Sequence, residues 1–283
     1  MVRVFITDSI KTEKSRQRLH ISPYFFHRYI RFLGSIALLD IDGNANPDKI
    51  EIQIGIQAKQ RYTEGAKKMT ALETIKERKI VAIVRGLKPE YLLRLGHALA
   101  EGGIGLMEVT YNQREPETWG DTARGIEAVE KEFGQRLLVG AGTVITPEQV
   151  RMTYNVGGHY LVTPATQPEI IRMGKALGMG LFPGALTPTE ILTAYNAGAD
   201  AVKVFPASVL GTAYIKAVRA PLSHIPLMAV GGVNEKNAAD FMKAGCVGLG
   251  VGGNLVNKEW IQSGQWDKIT ALAKEFMKAV NEA

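Results

Sequence analysis

One lysine stands inside one of the most apolar stretches of the chain. Lys203 lies between Val202 and Val204 in residues 198–207, and Pro206 ends the apolar run. Short β-branched runs of this kind indicate a buried strand of a parallel sheet. Burial disfavours the ammonium form, lowers the pKa of the amine and so prepares it to attack a carbonyl carbon. The alternative is a lysine at a strand end whose ammonium group reaches solvent.

Other apolar runs in the chain also end on polar residues or on glycines. These ends are Arg85, Glu108 with Thr110, Gly140 to Thr143, Thr163-Pro164, Pro183-Gly184, Gly231-Gly232 and Gly252-Gly253. If the runs are parallel strands, their carboxyl ends meet on one face, where α/β enzymes carry their chemistry. A lysine, an acid, an arginine, hydroxyl groups and glycine corners would then converge on one site.

Lys203 and Glu108 form a pair that suits imine chemistry. The lysine would attack a ketone, and the glutamate would move protons for the carbinolamine and for making or breaking a carbon–carbon bond. The alternative is a buried ion pair with a structural role, although such a pair is a poor stabilising device. Arg85 suits a carboxylate or a phosphate because its guanidinium has a fixed charge and a forked geometry. The alternative for Arg85 is a salt bridge with another side chain at the strand ends.

Hydroxyl groups and glycines indicate how an anionic substrate would be held. Thr143 and Thr163 offer donors for a carboxylate, although threonines at strand ends also bond to the backbone. The pairs Gly231-Gly232 and Gly252-Gly253 follow the last two apolar runs, where backbone N–H groups can face a phosphate. Glycine also serves tight turns, so the phosphate hypothesis depends on both pairs together.

Apolar runs and amphipathic segments alternate at a near-constant spacing from residue 80 onwards. The apolar runs, which we predict as strands, are 80–84, 104–109, 137–139, 160–162, 180–182, 201–205, 226–230 and 247–251. The predicted helices between them begin at Pro89-Glu90, Pro116-Glu117, Pro147-Glu148, Pro168-Glu169, Pro188-Thr-Glu190 and Asn234-Glu235. Proline followed by an acid is typical of a helix N-terminus. The pattern predicts an α/β protein with a (β/α)8 barrel, the TIM-barrel architecture. A doubly wound open sheet competes, but no G-x-G-x-x-G motif follows the first run.

Composition and charge favour a small-molecule enzyme of the cytoplasm. The net charge is +6, of which +5 falls on residues 1–68 (12 Lys+Arg, 7 Asp+Glu), so an argument for nucleic acid would rest on that segment alone. No apolar run approaches the roughly 20 residues of a membrane span, and the N-terminus lacks the apolar core of a secretory signal. The single cysteine, Cys246, suits a reducing compartment. We expect neither a nucleic-acid nor a membrane partner.

The sequence gives little support for a metal site or a serine triad. Of the five histidines, His97, His159 and His224 in the larger part of the chain are scattered, and neither an H-E-x-x-H motif nor a cysteine pair is present. No G-x-S-x-G motif offers a nucleophilic serine. We therefore predict no metal and no organic cofactor.

Residues 1–68 do not continue the alternating pattern. Residues 36–41 are predicted as a strand, and a second, half-buried strand is predicted where isoleucines alternate at 50, 52, 54 and 56. Three interpretations stay open for this N-terminal extension: a real appendage of uncertain structure, a disordered segment, or a mis-assigned start. The last follows from residues 64–69, whose codons can spell a bacterial ribosome-binding site before a start codon at Met69. We expect residues 69–283 to form the barrel, with Thr70 and Glu73 capping its leading helix.

The motifs at the strand ends resemble those of a known family. They are Val81-Ala-Ile-Val-Arg85, Glu108-Val-Thr110, Val139-Gly-Ala-Gly-Thr-Val144, Val162-Thr-Pro164, Phe182-Pro-Gly184, Val202-Lys-Val-Phe-Pro206, Val230-Gly-Gly-Val233 and Gly250-Val-Gly-Gly253. In this order they resemble the 2-keto-3-deoxy-6-phosphogluconate (KDPG)/2-keto-4-hydroxyglutarate (KHG) aldolases, class I aldolases on a trimeric barrel. The resemblance covers essentially the whole predicted barrel.

The resemblance implies an activity and a role for several residues. Lys203 is the implied Schiff-base lysine and Glu108 the general acid/base, with Thr143 near the pyruvyl carboxylate and the two glycine pairs at the phosphate. Arg85, Thr163, Pro164 and Phe205 are further candidate substrate contacts. The implied reaction is reversible cleavage of KDPG, a keto-acid sugar phosphate, to pyruvate and glyceraldehyde 3-phosphate in a homotrimer. Aldolases for 6-phospho-2-dehydro-3-deoxygalactonate or KHG are alternatives, and a barrel that binds a phosphorylated ligand without turnover is one of another class.

Two positions depart from the pattern of that family. Many members carry an arginine four residues after the catalytic glutamate, where this chain has Asn112, so carboxylate binding would fall to Arg85 or Arg114. The last corner reads Gly252-Gly253 where a serine is common, which removes one hydroxyl from the implied phosphate site.

Overall fold

The structure is a computed structural model that describes residues 3–6, 51–54 and 70–283. Contacts within the chain divide it into two units, Met1–Lys67 and Lys68–Ala283. In the first unit, strands β1 (Arg3–Ile6) and β2 (Glu51–Ile54) pair in parallel. β2 falls where the alternating isoleucines predict a strand, whereas the strand predicted at 36–41 lies outside the described residues.

In the second unit, strands and helices alternate along the chain. The strands are β3 Ile80–Val84, β4 Leu106–Thr110, β5 Leu138–Gly142, β6 Tyr160–Val162, β7 Gly180–Phe182, β8 Gly184–Ala185, β9 Val202–Val204, β10 Leu227–Val230 and β11 Gly248–Val251. The helices are α1 Ala71–Arg78, α2 Leu92–Glu101, α3 Trp119–Phe133, α4 Pro147–Asn155, α5 Pro168–Ala176, α6 Pro188–Asn196, α7 Ala207–Arg219, α8 Ala238–Lys243, α9 Lys258–Gln262 and α10 Trp266–Asn281. None of the helices in this part of the chain has the length and apolar character that a membrane crossing requires.

The nine strands β3 to β11 form one parallel sheet that curls into a barrel. Its order is β7-β6-β5-β4-β3-β11-β10-β9-β8. β7 and β8 stand at the two ends of that order, yet only Pro183 separates them in the chain, so they act as one interrupted strand. The backbone N–H of Lys203 donates to the Pro183 carbonyl at 2.8 Å and that of Asp200 to the Leu181 carbonyl at 2.9 Å. The predicted (β/α)8 barrel is thereby confirmed.

Most predicted strands and helix starts are found within one or two residues of their predicted places. The strands at 80–84, 160–162 and 180–182 have the predicted bounds. Helices α4, α5 and α6 begin at the predicted prolines, whereas the segments at Pro89 and Pro116 open with a turn of 3-10 helix. Helix α8 begins four residues after Asn234, because the asparagine side chain accepts from the backbone N–H groups of Lys236 and Asn237 in a turn.

Two apolar layers hold the strands in place. The outer layer packs strand residues such as Met107, Val109, Val202 and Val204 against the surrounding helices. The inner layer fills the barrel and comprises Ile75, Val81, Leu106, Leu138, Tyr160, Val162, Phe182, Ala201 and Met228. Because successive side chains of a strand point to opposite faces, the residues between outer-layer positions face the barrel interior.

Helix α1 covers the amino-terminal end of the barrel. Thr70 caps it in the predicted capping box with Glu73. Ile75 is fully buried, and it lies so close to Gly248 that a Cβ there would be 2.5 Å from its Cγ1. The opposite, carboxyl-terminal end of the barrel therefore remains as the face on which the strand-end residues meet.

Candidate active site

Lys203 and Glu108 both face the inside of the barrel. Lys203 lies between Val202 and Val204, whose side chains belong to the outer layer, so alternation turns the lysine inward. Glu108 lies in the same way between Met107 and Val109. Lys203 is 7% exposed and Glu108 is 3% exposed. The alternative of a lysine reaching solvent is thus not what the structure shows.

Burial shifts the pKa values of both groups. Burial raises the pKa of Glu108 from 4.5 to about 7, although the positive charges of Lys203 and Arg85 oppose that rise. Burial also lowers the pKa of Lys203, against the attraction of Glu108, and the charge of Arg85 lowers it further. Each side chain is therefore easier to hold neutral than it would be in water, as a nucleophilic amine and a proton-transferring acid require.

Glu108 and Lys203 interact without a direct ion pair, since none joins them among the salt bridges of the described residues. The Oε2 atom of Glu108 is buried and has no hydrogen-bond partner within the same part of the chain. Buried carboxylate oxygens normally have partners, so an oxygen without one is expected where a ligand or a water binds. The pair is therefore not a closed structural bridge.

Phe205 and Arg85 stand at the mouth above this pair. The Nζ atom of Lys203 lies 5.1 Å from the centroid of the Phe205 ring, which is 39% exposed. Arg85 follows β3, is exposed, and acts on the charges of both buried groups. Arg114 was the other sequence candidate for the anion, but its charge contributes to neither group's shift.

Thr143 has a free hydroxyl and an unusual backbone. Its φ is 56°, in the left-handed region that β-branched residues rarely adopt. The side chain makes no hydrogen bond with the residues that the structure describes, so its proton is available to a ligand. Backbone strain of this kind often marks a functional site.

Gln113 and Gln149 hold Thr143 in that conformation. Gln113 Nε2 donates to the Thr143 carbonyl at 2.6 Å, and its Oε1 accepts from Gln149 Nε2 at 3.0 Å. Gln149, which is fully buried, accepts with its own Oε1 from the N–H groups of Ile145 and Thr146. The two glutamines thus tie the loop after β4 to the loop after β5.

Thr163 has its hydroxyl engaged with the backbone. It donates to the Ala165 carbonyl and accepts from the Gly184 N–H at 3.4 Å. A Cβ on Gly184 would overlap the Pro164 carbonyl, so the glycine lets β8 approach the corner at Thr163-Pro164. These contacts shape the rim of the barrel on the side of Lys203, which pairs with Gly184.

Asn112, at the position of the missing arginine, is held within its own loop. Its Nδ2 donates to Glu115 Oε2 at 3.0 Å and its Oδ1 accepts from the Arg114 N–H at 3.0 Å. Its amide therefore orders the turn between β4 and α3, and both of its polar atoms are already used.

A cleft of about 590 Å³ opens beside the two glycine pairs. Arg85, Phe205, Gly231-Gly232 and Gly252-Gly253 are among its walls, whereas Lys203 and Glu108 are not. Phe205 and Arg85 thus connect the cleft with the buried pair. The cleft supplies room for a ligand next to the buried pair.

The two glycine pairs differ in backbone conformation and in the space around them. Gly231 and Gly232 have φ of 94° and 74°, and a Cβ on Gly232 would overlap the Ser208 side chain. A Cβ on Gly252 or Gly253 would meet no atom of the described residues within 4 Å. Neither packing nor a positive φ requires glycine at 252–253, and this corner lies open to the cleft.

Three residues around the site were not identified from the sequence. Gln113 belongs to no motif, Gln149 completes a capping box with Thr146, and the contact between the two glutamines bridges 36 positions of the chain. Lys258 lines the cleft but lies at the start of a short helix, where an exposed lysine is ordinary. Among the described residues, no cluster of three His, Cys, Asp or Glu side chains is placed to hold a metal ion.

Comparison with known proteins points to one family. The family model described as KDPG and KHG aldolase matches residues 72–272. The 2-dehydro-3-deoxy-6-phosphogalactonate aldolase of Escherichia coli K12 is 39% identical over 206 residues, which cover 72% of this chain and 95% of that protein. The 2-dehydro-3-deoxy-phosphogluconate aldolase of Haemophilus influenzae is 31% identical over 210 residues, with coverage of 74% and 96%.

A solved structure of a KDPG aldolase shares the fold of this chain. The KDPG aldolase of Legionella pneumophila, with pyruvate captured as a covalent carbinolamine, matches with a TM-score of 0.66 and 25% identity. The match covers 73% of this chain and 97% of that one. The family match runs from the first barrel helix into the last, and the resemblance inferred from the strand-end motifs is confirmed. This chain belongs to the KDPG and KHG aldolase family and is a lyase of the aldolase type.

Proposed function

We propose that this chain is a class I aldolase that reversibly cleaves a 2-keto-3-deoxy-6-phospho sugar acid to pyruvate and glyceraldehyde 3-phosphate. The observation that carries the proposal is the buried, inward-facing pair Lys203 and Glu108, which shares a mouth with a glycine-lined cleft. An amine with a lowered pKa beside a carboxyl with a raised pKa supplies both reagents of imine chemistry.

Lys203 forms the covalent intermediate. Its neutral amine attacks the C2 ketone to give a carbinolamine, and loss of water leaves an iminium ion. Glu108 takes the proton of the C4 hydroxyl, the C3–C4 bond breaks, and its electrons pass through C3 into the iminium, giving an enamine of pyruvate and a free aldehyde. Protonation of C3 and hydrolysis of the iminium then release pyruvate and restore the amine. No step in this scheme uses a metal or an organic cofactor.

Glu108 can serve as both acid and base because of its pKa. With a value of about 7, protonated and ionised forms coexist near neutral pH. The best general acid/base has a pKa near the working pH. Glu108→Gln should slow turnover by roughly 10²- to 10⁴-fold, the usual effect of losing such a group. Imine formation should remain detectable, because Lys203 is still present.

The two ends of the substrate bind to different groups in this proposal. The free hydroxyl of Thr143 and the guanidinium of Arg85 hold the C1 carboxylate near Lys203. The backbone at Gly231-Gly232 and Gly252-Gly253 faces the phosphate in the cleft. Thr163, Pro164 and Phe205 form the wall between the two ends.

The configuration at C4 separates two candidate substrates. The gluconate-derived compound, KDPG, is the expectation from the sequence motifs. The galactonate-derived compound is favoured by the higher identity to the E. coli galactonate aldolase, 39% against 31% for the H. influenzae gluconate aldolase. KHG, which has a carboxylate in place of the phosphorylated arm, is the remaining alternative.

Turnover of these compounds side by side tests the proposal. The gluconate- and galactonate-derived acids are supplied with and without their phosphate, and pyruvate release is followed with a coupled assay. The proposal predicts pyruvate from at least one phosphorylated acid and a lower kcat/KM for its unphosphorylated form. Equal rates on both forms would remove the phosphate site from the account, and no pyruvate from any of these acids would reject the activity.

Three further points are proposed with this function. The enzyme is cytoplasmic, as its single cysteine favours. It is a homotrimer, and the family resemblance is the main argument for this state. Val209, an apolar side chain that is 78% exposed, would be covered by another copy. Light scattering of the purified protein tests the trimer. Residues 1–68 form a separate extension, and residues 69–283 are the aldolase.

A further inference from the structure

The cleft beside the glycine pairs contains two cations without partners. Arg85 and Lys258 line it, and neither makes a salt bridge or a hydrogen bond with the residues that the structure describes. Glu259 is the carboxylate of the same wall. The cleft therefore has a net positive wall, which favours an anionic ligand.

The two asparagines of the cleft each bond to the backbone through one polar atom. Asn254 Nδ2 donates to the Val233 carbonyl at 2.8 Å, and Asn257 Oδ1 accepts from the Trp260 N–H at 3.1 Å. Both asparagines thus hold the loop between β11 and α9. Lys258, next to them, keeps all three of its donors free.

Lys258 reaches across the cleft. It starts helix α9, but a Cβ placed on Gly86 would lie 3.3 Å from its Nζ atom. Gly86 has a φ of 60° and follows β3, the strand that pairs with β11. The lysine stem therefore extends from the β11 side of the cleft to the β3 side.

The two cations serve different ends of the site. The charge of Arg85 acts on Glu108 and on Lys203, so its guanidinium belongs to the reacting end. Lys258 lines the cleft together with the glycine corner Gly252-Gly253. That corner offers no hydroxyl of its own, because both of its residues are glycine.

We propose that Lys258 is a specificity-determining residue whose ammonium binds the terminal phosphate dianion of the substrate. This inference rests on the proposed function. An ammonium group and a dianion form charge-assisted hydrogen bonds that are about twice as strong as neutral ones. Backbone N–H groups at the glycine corner bind the phosphate from one side, and Lys258 closes on it from the Gly86 side.

Substitution of Lys258 tests its role. Lys258→Met keeps the stem and removes the charge, Lys258→Arg keeps the charge, and Lys243→Met makes the same change at an exposed lysine in the last turn of α8. Lys258→Met should reduce kcat/KM for the phosphorylated substrate at least about tenfold more than for the unphosphorylated one, equivalent to about 1.4 kcal/mol. Lys258→Arg should recover most of the loss, and Lys243→Met should show no such difference. If Lys258→Met lowers kcat/KM equally for both substrates, or does not lower it, the proposal is wrong.

Binding of inorganic phosphate separates this inference from the aldolase proposal. Inorganic phosphate is titrated into each protein and followed by calorimetry, which needs no turnover. If Lys258 binds the dianion, phosphate should bind the Lys258→Met protein at least about tenfold more weakly than the unsubstituted protein and Lys243→Met. Equal binding to all three proteins counts against Lys258 even if the enzyme is active. Weakened binding together with no turnover of any sugar acid rejects the activity and leaves the anion site in place.

Discussion

The side chain of Glu108 fills the space that a side chain on Gly142 would need. A Cβ on Gly142 would overlap Oε1 and Cδ of Glu108 and would lie 2.7 Å from its Cγ. Gly142 ends β5, the strand next to the one that carries Glu108. The position of the proposed acid/base therefore depends on the absence of a side chain one strand away.

Gly142→Ala should impair catalysis more than stability. The added methyl group displaces the carboxyl end of Glu108, a flexible end that can move, so we expect the fold to persist. We predict a fall in kcat of roughly 10²- to 10⁴-fold, comparable to loss of the acid/base. Steady-state kinetics and thermal unfolding measure the two effects.

Gly120→Ala is the matched control for that substitution. Gly120 lies in α3, where an added Cβ would approach only the Arg124 side chain, at 3.4 Å. Alanine is favoured over glycine inside a helix by about 1 kcal/mol, so this variant should unfold no more easily and should keep its rate. If Gly142→Ala keeps a normal kcat, Glu108 is not positioned by this contact.

Ionisation of Glu108 should make stability depend on pH. A raised pKa means that the ionised form is disfavoured in the folded state, so the destabilisation is absent below about pH 4.5 and complete above about pH 7. At 1.36 kcal/mol per pKa unit the effect is about 3 kcal/mol. Glu108→Gln cannot ionise, so its free energy of unfolding relative to the unsubstituted protein should rise by about 3 kcal/mol over that range.

Urea unfolding of both proteins at about pH 4.5 and about pH 8 measures the difference. Loss of the Glu108 charge also lowers the pKa of Lys203. This adds to the rise with pH of the free energy of unfolding of Glu108→Gln relative to the unsubstituted protein. A difference in stability that stays constant or shrinks as pH rises would show that Glu108 does not titrate with a raised pKa.

The sequence predicts those parts of the site that depend on the strands. Lys203 and Glu108 each lie inside a continuous apolar run, so their burial in a strand follows from the pattern, whereas their inward direction is found only in the structure. The glycine pairs and Arg85 follow from the rule that parallel strands end on one face. The barrel itself is predictable because each of its units repeats the same order of apolar run and capped helix.

Contacts between distant loops are not predictable in this way. Gln113 and Gln149 bond to each other because the loops after β4 and β5 are neighbours, and no local pattern encodes that bond. The engaged hydroxyl of Thr163 and the free hydroxyl of Thr143 look alike in sequence. Helix α8 starts later than predicted because Asn234 orders a turn of its own, which competes with the helix.

Gln113→Leu should weaken the hold on the substrate carboxylate. The change removes the donor to the Thr143 carbonyl and leaves the buried Gln149 Nε2 without its acceptor. A buried group left unpaired costs about 1–3 kcal/mol. Because the bond to its carbonyl is lost as well, Thr143 should leave its strained conformation. We predict a rise in the pyruvate concentration needed for half-maximal imine trapping of at least about fivefold, with a smaller effect on the trapping rate at saturation.

Gln265→Leu makes the same exchange at an exposed position, where the side chain bonds to Ser263 alone among the residues that the structure describes. It should bind pyruvate like the unsubstituted protein. If Gln113→Leu changes stability while pyruvate binding stays normal, the two glutamines are structural and do not position Thr143.

A chain that begins at Met69 should fold and keep its full rate. It retains helix α1 with the Thr70–Glu73 capping box, and Ile75 still covers the amino-terminal end of the barrel. All of the proposed site residues lie after this point. Circular dichroism, thermal unfolding and kcat/KM compare it with the full chain. An insoluble product, or the loss of most of the rate, would make residues 1–68 an integral part of the enzyme.

The most direct test of the account is reduction of the imine at Lys203. Borohydride is added with pyruvate, and the modified residue is located by peptide mass spectrometry. We predict one adduct, on Lys203, because burial lowers the pKa of its amine and so favours the neutral, nucleophilic form. Lys203→Arg should lose both adduct and turnover, because its guanidinium cannot form the imine. An adduct on another lysine, or full activity in Lys203→Arg, would contradict the proposed mechanism.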